Sequence, residues 1–386
     1  MRKIDQSIIR TQNLSMIYEA ILREPMITRQ KIAEQTGLSQ MTVCNLVDVL
    51  NNYGAVDILK DEVQVVGRKK VGRKAEQLVL NEKLGEWLII DLSVKCFQYC
   101  TITLSNMLHI QGDPWICNDN FNYSQNLHLF LESISEVIKE HNLNVLGIAV
   151  VTPGPYDAQE DRVKNTRIPE LNVIHVKAIV KYVIGNYYLY VDEDVKFAAR
   201  RQLMRFINKD IDIMYYLYIG EGVGGAVVHE RKIIRGLNYT AGDPGQLPYN
   251  HGTFESSLSL GAFFRMLCIG NEFETPSVEY MHKAASLYPQ RYRECLLDCA
   301  QTVAKLLINV IWLIDPQTIV VDCGYSSPLE SDFIHRIEQC LVELSCKDLR
   351  VPEIFGTDMS MHAPYMGAVM MLEKWFIDRI GSTNGG

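Results

Sequence analysis

Residues 28–39 read Thr-Arg-Gln-Lys-Ile-Ala-Glu-Gln-Thr-Gly-Leu-Ser, a spacing that leaves few local structures open. Thr28 is a good N-cap for a short helix. Gly37 supplies the positive φ that a tight exit needs, and the small Ala33 allows a close neighbour. Ser39 caps a further helix that carries Val43, Leu46, Val47 and Leu50 on one face. Upstream, Ile8, Ile9, Leu14, Ile17, Tyr18 and Ile21 recur at helical spacing over 5–22, and Pro25 follows the end. Downstream, strands are expected at 55–59 and 77–80. Between them runs Gly67-Arg-Lys-Lys-Val-Gly-Arg-Lys74, the densest positive run in the chain. Three helices followed by two strands and a basic loop make a winged helix-turn-helix over residues 1–82.

With Val43 and Leu46 turned inward, Ser39, Gln40, Thr42 and Asn45 project outward. Gln and Asn suit bidentate contact with adenine, and Ser and Thr suit bases or phosphates. Arg29 and Lys31, at the start of the second helix, suit phosphates. Arg68, Lys69, Lys70, Arg73 and Lys74 suit a minor groove or the backbone. The charge distribution agrees. Residues 1–80 hold 12 Lys and Arg against 9 Asp and Glu, while the whole chain holds 38 against 46, a net of −8. A mildly basic head on an acidic body points to a polyanion as the head's partner, and the helix spacing with the basic loop makes that partner double-stranded DNA.

From about Leu84 strands and helices alternate. Strands are expected at 87–93, 98–104, 107–110, 145–151, 188–191, 214–219 and 318–321, with a hairpin after Gly220–Gly225. Helices are expected at 127–140 and 195–207, and most of the rest is helical. Such alternation implies an α/β body. No run of about 18 apolar residues stands in the sequence, so no membrane span is expected. The start of the chain lacks an apolar h-region, so the expected compartment is cytoplasmic. Ten cysteines without a Cys-x-x-Cys pair read as reduced thiols. Cys295 and Cys299, four apart on a helix among Leu296, Leu297, Val303 and Leu306, read as core. Residues 381–386 read as a loose tail.

The head, together with Gly147-Ile-Ala-Val-Val-Thr-Pro-Gly-Pro155, Val191-Asp-Glu-Asp194, Gly220–Gly225 and Gly236-Leu-Asn-Tyr-Thr-Ala-Gly242, resembles the ROK family in its repressor branch. The resemblance runs from about Ser7 to about Ile380. It implies a two-lobed, actin-like ATPase body behind the winged helix, with a first lobe over 83–195 completed by a C-terminal helix at 365–380. A second lobe with a dimerisation region would occupy 196–364. In the kinase members a sugar binds between the lobes with ATP beside it.

The kinase motifs are altered. Where the kinases have Asp-x-Gly-Gly-Thr, this chain has Asp91-Leu-Ser93-Val94-Lys95, which cannot offer the same nest of N–H groups to phosphate. The glycines of 220–225 remain, either for phosphate or for turn geometry. Asp194 matches the kinase base, but its neighbours are Glu193 and Lys196 rather than Asn. The zinc-binding His position is Gln246, and the cysteine cluster is replaced by Tyr249-Asn-His-Gly-Thr-Phe-Glu255, so no metal is expected. The matching sugar contacts are Gly154, Asn165, Glu193, Asp194, Asp243, Gln246 and Glu255, with Arg167, Lys196 or Arg200 available to neutralise the carboxylates. A neutral or cationic polyol fits this set better than a phosphorylated sugar.

The resulting expectation is a sugar-responsive, DNA-binding transcriptional regulator, working as a homodimer or dimer of dimers, with no cofactor and no catalysis. Two alternatives remain. One is a sugar kinase with an attached head; the other is a DNA-binding protein that answers to no ligand.

Overall fold

The computed structural model describes residues 6–59, 76–92, 96–118, 120–164, 168–206, 209–267, 277–357 and 363–383. It divides into two compact units, residues 1–192 with 368–386, and residues 193–367.

The first unit opens with α1 (Gln6–Arg23), β1 (Ile27–Thr28), α2 (Arg29–Thr36), α3 (Gln40–Asn52), β2 (Val56–Leu59) and β3 (Gln77–Leu80). Thr28 Oγ1 accepts from the Lys31 N–H and Ser39 Oγ from the Thr42 N–H, so both expected caps form. Gly37 has φ 71° and donates its N–H to the Ala33 carbonyl. Buried Leu14, Ile17, Ile21, Ile32, Val43, Leu46, Val47 and Leu50 form the apolar faces of the three helices. The strands form one antiparallel sheet in the order β1-β3-β2. β1 was not legible in the sequence: Ile27 and Thr28 pair with Leu78 and Gln77, some fifty residues on. This is a winged helix. Its basic residues Arg68, Lys69, Lys70, Arg73 and Lys74 lie outside the described residues.

The rest of this unit contains β4 (Glu86–Asp91), β5 (Cys96–Thr103), β6 (Leu108–Gln111), β7 (Trp115–Ile116), α4 (Tyr123–Glu140), β8 (Val145–Thr152), β9 (Tyr156–Asp157), β10 (Arg162–Val163), α5 (Val176–Val183) and β11 (Leu189–Glu193). The main sheet runs β11-β8-β4-β5-β6, with β4 parallel to β8 and antiparallel to β5. The continuous run Trp87–Ile90 is buried throughout, as a strand covered on both faces must be. One face packs Leu88 and Ile90 with Phe130, Leu131 and Ile134 of α4. Trp87 instead meets Phe376 edge-to-face at 5.7 Å, and the same Phe376 ring meets Tyr53 of the head at 5.4 Å.

The second unit contains α6 (Asp194–Leu203), β12 (Ile213–Ile219), β13 (Val223–His229), β14 (Lys232–Ile233), β15 (Pro248–Tyr249), β16 (Gly252–Thr253), α7 (Phe254–Leu258), α8 (Leu260–Leu267), α9 (Val278–Leu287), α10 (Pro289–Ile314), β17 (Thr318–Cys323), α11 (Glu330–Leu344), β18 (Glu353–Gly356) and the start of α12 (Ala363–Thr383). Its sheet runs β14-β13-β12-β17-β18. α10 passes a length-and-hydropathy test for a bilayer span, although charged residues interrupt it and no run of about 18 apolar residues stands in it. Its inner face, including Cys295, Leu296, Cys299, Val303 and Leu307, is packed into this unit's core, so the two cysteines are core residues.

The glycine run belongs to a hairpin: Val223, Gly224 and Gly225 pair with Ile219, Tyr218 and Leu217. Two expectations change. The sequence reads as mostly helical after β17, but 353–356 forms edge strand β18, parallel to β17. The tail tightens later than expected, since Gly381, Ser382 and Thr383 complete α12.

Candidate functional site

On the head, Gln40, Met41 and Asn45 of α3 are exposed, with Met41 72% accessible. Thr42 is half-buried, and its hydroxyl lies 2.8 Å from Ser39 Oγ. Both hydroxyls therefore serve the helix cap. Arg29 has other partners than a phosphate: its guanidinium donates to Asp48 Oδ1 at 2.8 Å and to the Cys44 carbonyl at 3.1 Å. Glu76 stands 3.6 Å away, and only 18% of the arginine side chain is exposed. It staples α2 to α3. Lys31 stays at the surface, paired with Glu24 at 2.5 Å, and this contact holds the Glu24 carboxyl below its usual range. Met41 was missed in the sequence because an apolar residue there reads as core.

In the second unit, four segments converge near the start of α6. Asp194 opens that helix, half-buried, with Oδ1 accepting from the Val195 N–H at 2.7 Å. Lys196, one position on from Val195, is turned inward. Its Nζ donates to the Gly225 carbonyl at 2.9 Å and the Ala241 carbonyl at 3.4 Å, and lies 3.3 Å from Glu193 Oε2. This explains the glycines. A Cβ on Gly224 would lie 2.9 Å from Val195 Cγ2, and one on Gly225 would lie 2.3 Å from the Gly242 carbonyl. The close approach of α6 and the 241–246 loop to β13 thus requires them without invoking a phosphate.

The loop beyond is held the same way. Tyr215 Oη donates to the Gly242 carbonyl at 2.9 Å, and burial, then the charge of Asp243, pushes that phenol up. Asp243 Oδ1 accepts from the Gly245 N–H at 3.1 Å. Glu255, in the first turn of α7, accepts from the Val223 N–H at 3.1 Å with one oxygen and from the Gln246 amide at 3.4 Å with the other. Asp243 and Glu255 are half-buried and Gln246 is exposed, so one patch presents carboxylates and an amide. Carboxylate and amide groups of this kind are what sugar hydroxyls bind.

Glu193 is the buried partner of Lys196 rather than a surface contact. Gly154 lies in the other unit, its carbonyl accepting from Thr152 Oγ1 at 2.9 Å, and Asn165 and Arg167 lie outside the described residues, as do Ser93, Val94 and Lys95. Asp322 was not foreseen. It is half-buried, accepts from Tyr216 Oη at 2.6 Å, and desolvation pushes its carboxyl up. No sequence signal separates it from an ordinary strand-end aspartate.

The family's zinc does not fit the 248–253 hairpin. β15 and β16 pair Pro248 with Thr253 and Tyr249 with Gly252, and a single imidazole, His251, stands at its tip. The Tyr249 ring stacks on Phe254 at 4.6 Å and Lys305 lies over it. Among the described residues no group of three or more His, Cys, Asp or Glu is placed to hold a metal ion.

The family profile that matches this chain is that of the ROK family, over residues 120–374. The xylose repressor of Bacillus subtilis is 24% identical over 252 residues, covering 63% of this chain and 62% of the repressor. That of Staphylococcus xylosus is 23% identical over 253 residues, with 63% and 62% covered. The matched part thus spans about three fifths of those repressors. Among solved structures, a ROK family transcriptional regulator described as a homologue of the E. coli Mlc protein superposes with TM-score 0.72 at 18% identity, covering 96% of this chain and 98% of its own. A ROK family glucokinase from Streptomyces griseus, in complex with glucose and AMPPNP, gives 0.62 at 15% identity over 74% and 99%. At these identities the superpositions establish the fold.

Proposed function

The chain belongs to the ROK family, and from that premise we propose that it is a sugar-responsive transcriptional repressor that performs no chemistry on its ligand. The reading rests on one observation above the others: a winged helix whose α3 exposes Gln40 and Asn45 stands ahead of the family's body. Two such heads in a homodimer would take the two halves of a pseudo-palindromic operator in double-stranded DNA. The effector would be a small carbohydrate seated on Asp194, Asp243, Gln246 and Glu255. To change operator occupancy it must favour one state of the protein by about 1–3 kcal/mol. The similarity to xylose repressors supports a sugar-responsive repressor.

A mobility-shift titration of the chain against its own promoter region, with and without a panel of pentoses, hexoses and amino sugars, tests this. Binding that no sugar alters, together with calorimetric silence toward the same panel, would leave a ligand-independent DNA-binding protein. Asp194, standing where the family's kinases have their base, favours a kinase as the second reading. ATP-dependent phosphorylation of a sugar, abolished in Asp194→Asn, would establish it.

A further inference from the structure

We infer that Met41 reads a thymine methyl group in the major groove, making it a sequence-specificity residue of the head; the inference deepens the DNA-binding reading above and rests on it. Met41 is the second residue of α3 and is 72% accessible. Every other large apolar side chain of that helix except half-buried Val49 is enclosed: Val43, Leu46, Val47 and Leu50. Met41 therefore contributes nothing to the head's core.

Its position on the helix gives the exposure a direction. Met41, Asn45 and Asp48 follow one another at i, i+4 and i+7, which places them in one stripe on the α3 surface. All three are exposed. The carboxylate that ends the stripe, which alone would repel DNA, is bound by Arg29 at 2.8 Å. The stripe thus offers a thioether at the N-terminal end of α3, an amide one turn on, and a neutralised carboxylate beyond. The N-terminal residues of such a helix are those that reach base edges. The apolar feature of those edges is the thymine C5 methyl, and an unbranched, polarisable side chain fits itself to a methyl group readily. Gln40 beside it and Asn45 above it are adenine-type readers, so a T·A-rich half-site suits all three.

The test uses the full chain and a random 30-base-pair duplex pool, from which bound duplexes are enriched. Each thymine of the enriched duplex is then replaced singly by deoxyuridine, which removes only the methyl group. Wild type should lose affinity about fourfold at one thymine in each half-site, the worth of one buried methyl. Met41→Ala should bind the unmodified duplex about as weakly as wild type binds the deoxyuridine one, and should be indifferent to that replacement. Met41→Leu should keep the sensitivity. Equal losses in wild type and Met41→Ala at every position, or no loss anywhere, overturn the assignment while leaving DNA binding intact. A wild-type chain that enriches no duplex overturns the DNA-binding reading and this inference together. Because the side chain is exposed, an unchanged melting temperature in the alanine variant ties the effect to the contact.

Discussion

The ammonium of Lys196 lies 3.3 Å from a carboxylate oxygen of Glu193, three residues earlier, with side-chain exposures of 1% and 6%. A charge pair this deep is costly to desolvate, and the two backbone carbonyls that Lys196 also binds offset part of that cost. Removing one partner leaves the other buried and uncompensated. Lys196→Met should therefore lower unfolding stability by about 3–5 kcal/mol. Pairing it with Glu193→Gln should restore part of the loss, since no lone charge remains. Denaturant midpoints of the single and double variants measure the coupling.

Asp194, by contrast, is half-buried at the start of α6. If it holds a sugar hydroxyl, Asp194→Asn removes a charge-assisted hydrogen bond worth about 1.5–3 kcal/mol. The effector concentration that changes DNA binding should rise about 10- to 100-fold, while DNA affinity without sugar stays unchanged. Paired mobility shifts with and without the effector separate the two quantities. A change in sugar-free DNA affinity would instead make Asp194 a structural residue.

The sign of a pH effect follows from Glu373, on the part of α12 that belongs to the first unit. Burial, and then the nearby charge of Glu19, pushes its carboxyl up to about 8. It bonds with Tyr18 of the head and with Asn106 of the turn between β5 and β6. The folded protein thus favours the protonated form, whereas the unfolded chain titrates near 4.5. The stabilisation is complete below about pH 4.5 and is lost as pH rises toward 8. Against the background of all other groups, Glu373→Gln should flatten the fall in melting temperature between pH 6 and 9. An identical pH slope in variant and wild type would place the titrating group elsewhere.

What the sequence made legible was local. Thr28, Gly37 and Ser39 act within three or four residues of themselves, so their caps and turn were readable from spacing alone. Arg29 was not, because the carboxylate that claims it, Asp48, lies nineteen residues on. The glycines at 224 and 225 were open to two readings because what excludes a side chain there comes from Val195 and Gly242, both distant in sequence. Gly381 stands in a helix rather than a loose tail because that helix packs there against Thr11 and Leu14 of α1. Of the proposed ligand patch, residue types were readable by resemblance. That Glu193 and Lys196 pair inside, while Asp243 and Glu255 hold the Gly245 and Val223 N–H groups, needed the fold.

The wing carries a prediction of a different kind, because phosphate contacts reveal themselves through salt. Each cation that meets a phosphate steepens the dependence of log affinity on log salt by about 0.9. Replacing Arg68, Lys69, Lys70, Arg73 and Lys74 together with Gln should therefore flatten that slope by about 4 if most of them touch the backbone. The loss should be nearly the same for every duplex, since phosphates carry no sequence. Gln40→Ala should do the reverse, reducing discrimination between enriched and scrambled duplexes while leaving the slope alone. Fluorescence anisotropy from 50 to 300 mM salt measures both. An unchanged slope in the wing variant would move the electrostatic contact from the wing to other cations of the head, with Lys31 the first to replace.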